Sequence, residues 1–323
     1  MGADSRDPAG WVDYVALARP GHWIKHVFIL PGIALALLLR PQPWPGLLAR
    51  VVIGLVSAAL LASANYVLNE WLDAKSDSHH HSKSQRPAVA KRLSPLAVWL
   101  EYLILAFGGL ALALLVSRQY LTVSSLFLIS GLAYNIPPLR TKEIPFLDVV
   151  SEAVNNPIRL TLGWVMTDPT TLPPGSLLLA YWMGGAFLMA LKRLAEFRSA
   201  DQQGRLDELA VYRRSFRHYT EESLLLSSFL YALLAAFFLA VFLVKYRIEY
   251  LLSLPLFAGL FVMYLRVALK ENSRVQEPER LLREKSLVAI VLILVLALAV
   301  LTFVDIPALE KLSSPHFIEI GVD

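Results

Sequence analysis

Residues 46–77 read GLLARVVIGLVSAALLASANYVLNEWLDAKSD, an apolar run that turns acidic at its end. Residues 46–68 carry Arg50 as their one charged side chain. Their length is close to the ~20 residues a membrane helix needs. In the polar end, Asn69, Asp73 and Asp77 are spaced i, i+4, i+8. On a helix that spacing sets a carboxamide and two carboxylates in one column. The stretch therefore reads as a membrane helix with a column of hard oxygen donors at one mouth. Mg²⁺ takes such donors and completes its shell with water and substrate phosphates. The plainer reading is a solvated helix end, where acidic residues are ordinary.

The rest of the chain agrees with a membrane setting. Of 323 residues 56% are hydrophobic and 17% charged, with a mean hydropathy of +0.53. Soluble domains carry about 25% charge, and a soluble fold this apolar would expose large apolar patches. Eight further apolar stretches lie near 24–40, 95–116, 119–136, 146–166, 175–192, 221–244, 248–269 and 286–304. Counted over all nine along the chain, the first (24–40) is interrupted by Pro31 and the fifth (146–166) is amphipathic, so eight spans is the fallback to nine. The expectation is an all-α polytopic bundle around a central cavity, one integral membrane domain over 1–323. Residues 1–18 form a polar N-terminal segment and 306–323 a C-terminal tail. The N-terminus lacks the basic start and apolar run of a secretory signal. There is no cysteine, which excludes disulfides, thiolate chemistry and thiolate metal sites.

Most of the 30 Lys and Arg residues fall in the N-terminal segment and the even-numbered loops. Positive charge marks the cytoplasmic side. The N-terminus and the polar site are thus expected in the cytoplasm, and the protein in the plasma (inner) membrane. No nucleic acid partner is expected, and a homo-oligomer is compatible with the sequence.

Two further constellations carry chemistry. In the fifth stretch Asp148, Glu152, Asn155 and Arg159 step by 4, 3 and 4, one helical stripe. Ionisable groups at membrane depth face the bundle interior or a watery cavity and default to function. The alternative is an internal Glu152–Arg159 salt bridge. Two acidic columns facing each other would repel unless cations sat between them. The third group is basic: His79, His80, His81, Lys83 and Arg86, then Lys192 and Arg193 beside Glu196, then Arg213, Arg214, Arg217, His218 and Tyr219. Arg suits bidentate phosphate binding and Lys acts as a point charge. A diphosphate site is one reading; positive-inside bias and attraction to anionic lipid is the other. Zinc is disfavoured, because consecutive histidines on a helix point in different directions.

These residues resemble the UbiA prenyltransferase superfamily. Its first motif, Asn-Asp-x-x-Asp-x-x-x-Asp, is matched by Asn69-Glu70-x-x-Asp73-x-x-x-Asp77, followed by Arg86-Pro87. Glu70 replaces the usual Asp and is one methylene longer. Within the superfamily the motifs look most like those of the phosphoribosyltransferases that act on decaprenyl phosphate. The matches are Arg19-Pro20-x-x-Trp23-x-Lys25, then His80 and Lys83, Asp148 with Ile158-Arg159, Lys192-Arg193-x-x-Glu196, and Tyr219-Thr220. Tyr134-Asn135-Ile136-Pro137-Pro138-Leu139-Arg140 looks more like prenyl-diphosphate users such as lycopene elongases and chlorophyll synthases.

The resemblance implies a nine-helix membrane bundle and a Mg²⁺-dependent transferase. It implies 5-phosphoribosyl transfer from phosphoribosyl diphosphate to a polyprenyl phosphate, with diphosphate released, in cell-wall precursor synthesis. The alternative is a prenyl diphosphate donor with an aromatic or isoprenoid acceptor; more distant is a transporter or lipid-binding protein. By the resemblance, Asn69, Glu70, Asp73 and Asp77 hold metal. Asp73, Asp77, Asp148 and Arg159 serve catalysis, Arg159 by orienting the acceptor phosphate. Lys25, His80, Lys83, Arg86, Tyr134, Glu152, Lys192, Arg193, Glu196 and Tyr219 bind substrate and its phosphates.

Overall fold

The structure is a computed structural model that describes residues 6–40, 45–78, 84–270, 273, 275 and 283–313. Among them there is no strand; the one bridge joins Pro8 and Arg92. The chain runs α1 (Trp11–Leu17), a 3₁₀ stretch (Pro20–Ile29), α2 (Leu30–Leu39), α3 (Leu47–Asp77), α4 (Pro87–Ala90), α5 (Pro95–Val116) and α6 (Arg118–Asn135). A 3₁₀ turn (Thr141–Glu143) leads into α7 (Leu147–Ala153), α8 (Asn155–Thr167), α9 (Gly175–Gln202) and α10 (Leu206–Tyr212). After another 3₁₀ turn (Arg214–His218) come α11 (Glu221–Tyr246), a 3₁₀ entry (Ile248–Ser253), α12 (Leu254–Ala268), α13 (Lys285–Phe303) and α14 (Pro307–Ser313).

Six helical segments are long and apolar enough to cross a membrane by length and composition, or seven if the bent pair Trp11–Ile24 and His26–Leu39 is one span. The other stretches read as spans are helical but depart from that pattern. The first begins as a 3₁₀ turn and bends by 50°; Pro31 sits in the first turn of α2, where its missing N–H is harmless. The stretch 146–166 is two helices that break at Val154. Pro157 has no N–H for the carbonyl of Ala153, which removes the bond that would carry one helix through. α6 is helical throughout but carries Ser124, Ser125, Ser130, Tyr134 and Asn135.

The longest helix is α3, with 31 residues. At ~1.5 Å per residue it spans roughly 46 Å, well beyond the ~30 Å hydrocarbon layer. Its surplus length holds Asn69 to Asp77, so the acidic residues stand clear of the apolar body. α5 and α6 pack along α3, α8 along α2, and α9 along α11. The α2–α8 crossing is backbone to backbone. A Cβ on Gly32 would lie 2.0 Å from the carbonyl oxygen of Leu160, and one on Gly163 2.1 Å from that of Ile29. Small residues permit this approach, as they do in membrane bundles generally. Large apolar side chains such as Phe303 (85% exposed) and Ile104 (70%) point outward, the face that lipid accepts.

Candidate active site

The end of α3 is built as an acid–base cluster. Asp73 Oδ1 accepts from the Lys142 ammonium and from Arg140 at 3.4 Å. Lys142 also donates to Asn135 Oδ1 at 2.9 Å, and Asn69 Nδ2 donates to the same oxygen at 2.5 Å. Lys142 is 3% exposed. Burial pulls its ammonium below the usual lysine range, and the Asp73 carboxylate opposes that. Asp73, Ser76, Arg140, Lys142, Glu143, Tyr212 and Arg213 line a polar cleft at this end of α3.

The other acids of α3 point elsewhere. Asp77 is buried in an ion pair with Arg86 at 2.5 Å. Glu70 is paired with Arg19 at 2.6 Å and accepts from the Ala88 amide at 3.5 Å. The expected column therefore stands on one helix, but its acids part company: Asp73 pairs with Lys142 and Arg140, Asp77 with Arg86, and the neighbouring Glu70 with Arg19. Of the four residues read as metal ligands, Asn69 and Asp73 share the Lys142 cluster.

The second acidic group surrounds Arg193, which α9 carries inward. Its guanidinium donates to Asp148 at 3.1 Å, Glu152 at 2.8 Å and Glu196 at 3.2 Å. Asp148 is fully buried and also accepts from Ser215 at 3.2 Å and from the Tyr219 hydroxyl, with Arg213 at 3.7 Å. Burial and the adjacent carboxylate push the Tyr219 phenol well above its usual range. That hydroxyl also accepts the Phe146 amide at 2.7 Å, fixing the start of α7. Glu152 accepts from Tyr134 at 2.8 Å, and Lys192 acts on it electrostatically.

The stripe 148–152–155–159 is divided by the break at Val154. Asn155 Oδ1 accepts from Ser130 at 3.2 Å, and Arg159 lies over the Phe127 ring at 5.3 Å. An internal Glu152–Arg159 bridge is not what the structure forms, because Arg193 takes Glu152. The two acidic groups communicate through Tyr134, whose hydroxyl reaches Glu152 and whose ring centroid is 6.0 Å from Lys142 Nζ. Arg213 connects them too: it lines the Asp73 cleft and donates to Tyr134 at 3.3 Å.

Among the described residues, no three His, Cys, Asp or Glu side chains gather closely enough to hold a metal by themselves. Two of the expected phosphate binders, His80 and Lys83, lie outside the described residues, as does the side chain of Lys25. Lys142 is the addition of the structure, and Asn135 and Arg140, which the sequence offers only within the Tyr134–Arg140 motif, join it at Asp73. In the sequence Lys142 and Arg140 read as positive-inside charge, and nothing local marks a lysine 69 residues away as the partner of Asp73.

The sequence profile of the UbiA prenyltransferase family matches residues 27–283. A decaprenyl-phosphate phosphoribosyltransferase of Mycobacterium tuberculosis is 31% identical over 226 residues, covering 68% of this chain and 70% of that protein. A protoheme IX farnesyltransferase of Ectopseudomonas mendocina is 30% identical over 226 residues, covering 68% and 71%. Against an uncharacterised protein of Sinorhizobium fredii, 28% identical over 154 residues, the match spans 29% of that protein's length. A solved UbiA homolog from Archaeoglobus fulgidus, bound to GPP and Mg²⁺, superposes with a TM-score of 0.66 at 20% identity, covering 93% of this chain and 99% of that one. The profile match, which takes in the α3 acids, the Arg193 hub and the Asp73 cleft, makes this chain a member of the UbiA prenyltransferase family.

Proposed function

We propose that this transferase moves a 5-phosphoribosyl group from phosphoribosyl diphosphate to a polyprenyl phosphate and releases diphosphate. The observation that carries the reading is the cleft at Asp73, where Arg140, Lys142 and Arg213 outnumber the carboxylates of Asp73 and Glu143. Three cations beside two acids leave net positive charge, which suits a donor with several phosphates better than an uncharged one. The similarity to the mycobacterial phosphoribosyltransferase supports this choice of donor and acceptor.

The residues fit Mg²⁺. Asp73 already attracts a cationic group, the Lys142 ammonium, and Mg²⁺ is ordinarily bound through one or two carboxylates plus substrate phosphates rather than a complete protein cage. Asp73, with Asn69 one turn away on the same helix, would hold it, while Asp77 is taken by Arg86; when bound it would neutralise charge that develops on the departing diphosphate. Arg140, Lys142 and Arg213 bind and orient the donor phosphates. In the transfer the bond from ribose C1 to the diphosphate oxygen breaks, and a bond from C1 to an acceptor phosphate oxygen forms. That oxygen is already anionic, so no general base has to remove a proton. Asp148, Glu152 and Arg193 fix the wall of the site. The cleft and the N-terminus would face the cytoplasm of the plasma membrane, where a water-soluble donor is available.

A second reading has its own support. The Archaeoglobus fulgidus structures hold prenyl diphosphates with Mg²⁺, so a prenyl diphosphate is the rival donor. Purified protein offered a polyprenyl phosphate, Mg²⁺ and each donor in turn decides between them by the mass of the lipid product. Addition of one phosphopentosyl unit supports the first reading. Product from the prenyl diphosphate alone overturns it.

A further inference from the structure

Away from the Asp73 cleft, the bundle holds polar atoms that the helices leave unsatisfied. Neither ring nitrogen of His26 has a hydrogen-bond partner among the described residues, nor do Nε of Arg159 and Oδ1 of Asn65. All three residues are partly buried and lie within the apolar body of the chain. Buried polar groups without partners are rare and costly. An arginine at membrane depth ordinarily finds an acid. Arg159 forms no ion pair among the described residues; Glu152, which acts on it electrostatically, is held by Arg193 at 2.8 Å. What Arg159 has is the face of Phe127 at 5.3 Å and a side-chain hydrogen bond with Tyr66, neutral contacts weaker than a charge-assisted hydrogen bond to an anion.

The backbone places these groups together. Gly163 lies against the carbonyl of Ile29 and Gly32 against that of Leu160. One turn before this crossing, α8 presents Arg159 and the preceding 3₁₀ stretch presents His26. The two interact electrostatically. Asn65 comes from α3, held by its Nδ2 to the Phe127 carbonyl at 3.2 Å, with its free oxygen remaining. None of the three lines the Asp73 cleft.

We propose that Arg159 and His26 form a second, separate anion subsite at membrane depth, which takes the phosphate monoester of the isoprenyl acceptor. Naming the acceptor rests on the reading under Proposed function; the subsite itself rests on the unsatisfied nitrogens. The reaction brings together two polyanions, and one cationic cleft cannot neutralise both while keeping them distinct. A head group recognised below the membrane surface also selects a lipid anion over a soluble one.

The test is equilibrium binding of farnesyl monophosphate to the purified full chain in nanodiscs of zwitterionic lipid, with no donor and no divalent cation. Farnesol and phosphatidylglycerol are the comparison ligands. Wild-type protein is expected to bind the monophosphate at least tenfold more tightly than farnesol, and phosphatidylglycerol to compete poorly. Arg159→Gln is expected to erase the preference, Arg159→Lys to keep part of it, and His26→Gln to weaken it severalfold. Unchanged preference in both Arg159→Gln and His26→Gln would overturn the proposal. So would equal competition by phosphatidylglycerol, which would make the site a general anionic-lipid contact. Binding of diphosphate with Mg²⁺ is expected to be unaltered in these variants, a check on folding that does not involve the subsite. Phosphate preference without phosphopentosyl transfer would sustain the subsite and remove the donor reading; transfer with no preference would do the reverse.

Discussion

At the residue scale the decisive contact is Lys142 with Asp73. A buried ammonium beside a carboxylate is a tethered counter-ion, which compensates the Asp73 charge before substrate arrives. Removing one member of a buried pair costs about 3–5 kcal/mol, because the other charge is left uncompensated. Lys142→Met is therefore expected to lower the melting temperature, and added Mg²⁺ to recover part of the loss, since Asp73 then regains a cation. Thermal unfolding with and without Mg²⁺ checks this. Equal Mg²⁺ responses in variant and wild type would contradict the counter-ion role. Arg193 shows a different use of charge: one guanidinium, 1% exposed, satisfies three carboxylates from two helices. Through these pairs it ties α7 to α9.

At the element scale, the α2–α8 crossing and the loop after α8 position the inner face. A Cβ at Gly163 meets backbone rather than a movable side chain. Gly163→Ala is expected to cost about 1–3 kcal/mol, as overpacking does, and to weaken isoprenyl phosphate binding by separating Arg159 from His26. Unfolding and binding measured on the same sample test both halves; an unperturbed variant would show that the crossing has slack. Beyond α8, Asp168 closes the loop by accepting from Thr170, Thr171 and Arg40. Burial raises the Asp168 carboxyl, but these hydrogen bonds outweigh it and hold the group below its ordinary 3.8. A depressed carboxylate contributes stability that is complete above 3.8 and fades as pH falls through the folded-state value. Wild type should thus lose thermal stability more steeply than Asp168→Asn on acidification below pH 4; parallel melting curves would contradict this.

Much of this level was legible in the sequence. The apolar run of α3 and its i, i+4, i+8 acids follow from composition and periodicity alone. The 148–159 stripe has helical spacing throughout, so the sequence predicts one helix; the chain breaks at Val154, where Pro157 lacks the N–H to bond Ala153. The partners of Asp73, Asp77 and Glu70 were not legible, because each pairing is a long-range or loop contact that no local period encodes.

At the scale of the whole molecule, an apolar exterior surrounds two polar interiors: a charged cleft at the end of α3 and an incompletely satisfied cluster at membrane depth. The first suits a soluble polyanion and the second a lipid head group, a division that follows from helix lengths and from where the charges fall. The central claim is that Asp73 anchors the charge-neutralising site for the leaving diphosphate. Removing a preorganised electrostatic contact of this kind costs about 10²–10³ in rate. The direct measurement is the rate of radiolabelled phosphoribosyl transfer to a polyprenyl phosphate by Asp73→Asn against wild type, at saturating Mg²⁺ and with both proteins shown to be folded. A fall of about a hundredfold or more is predicted; a rate within twofold of wild type would contradict the account.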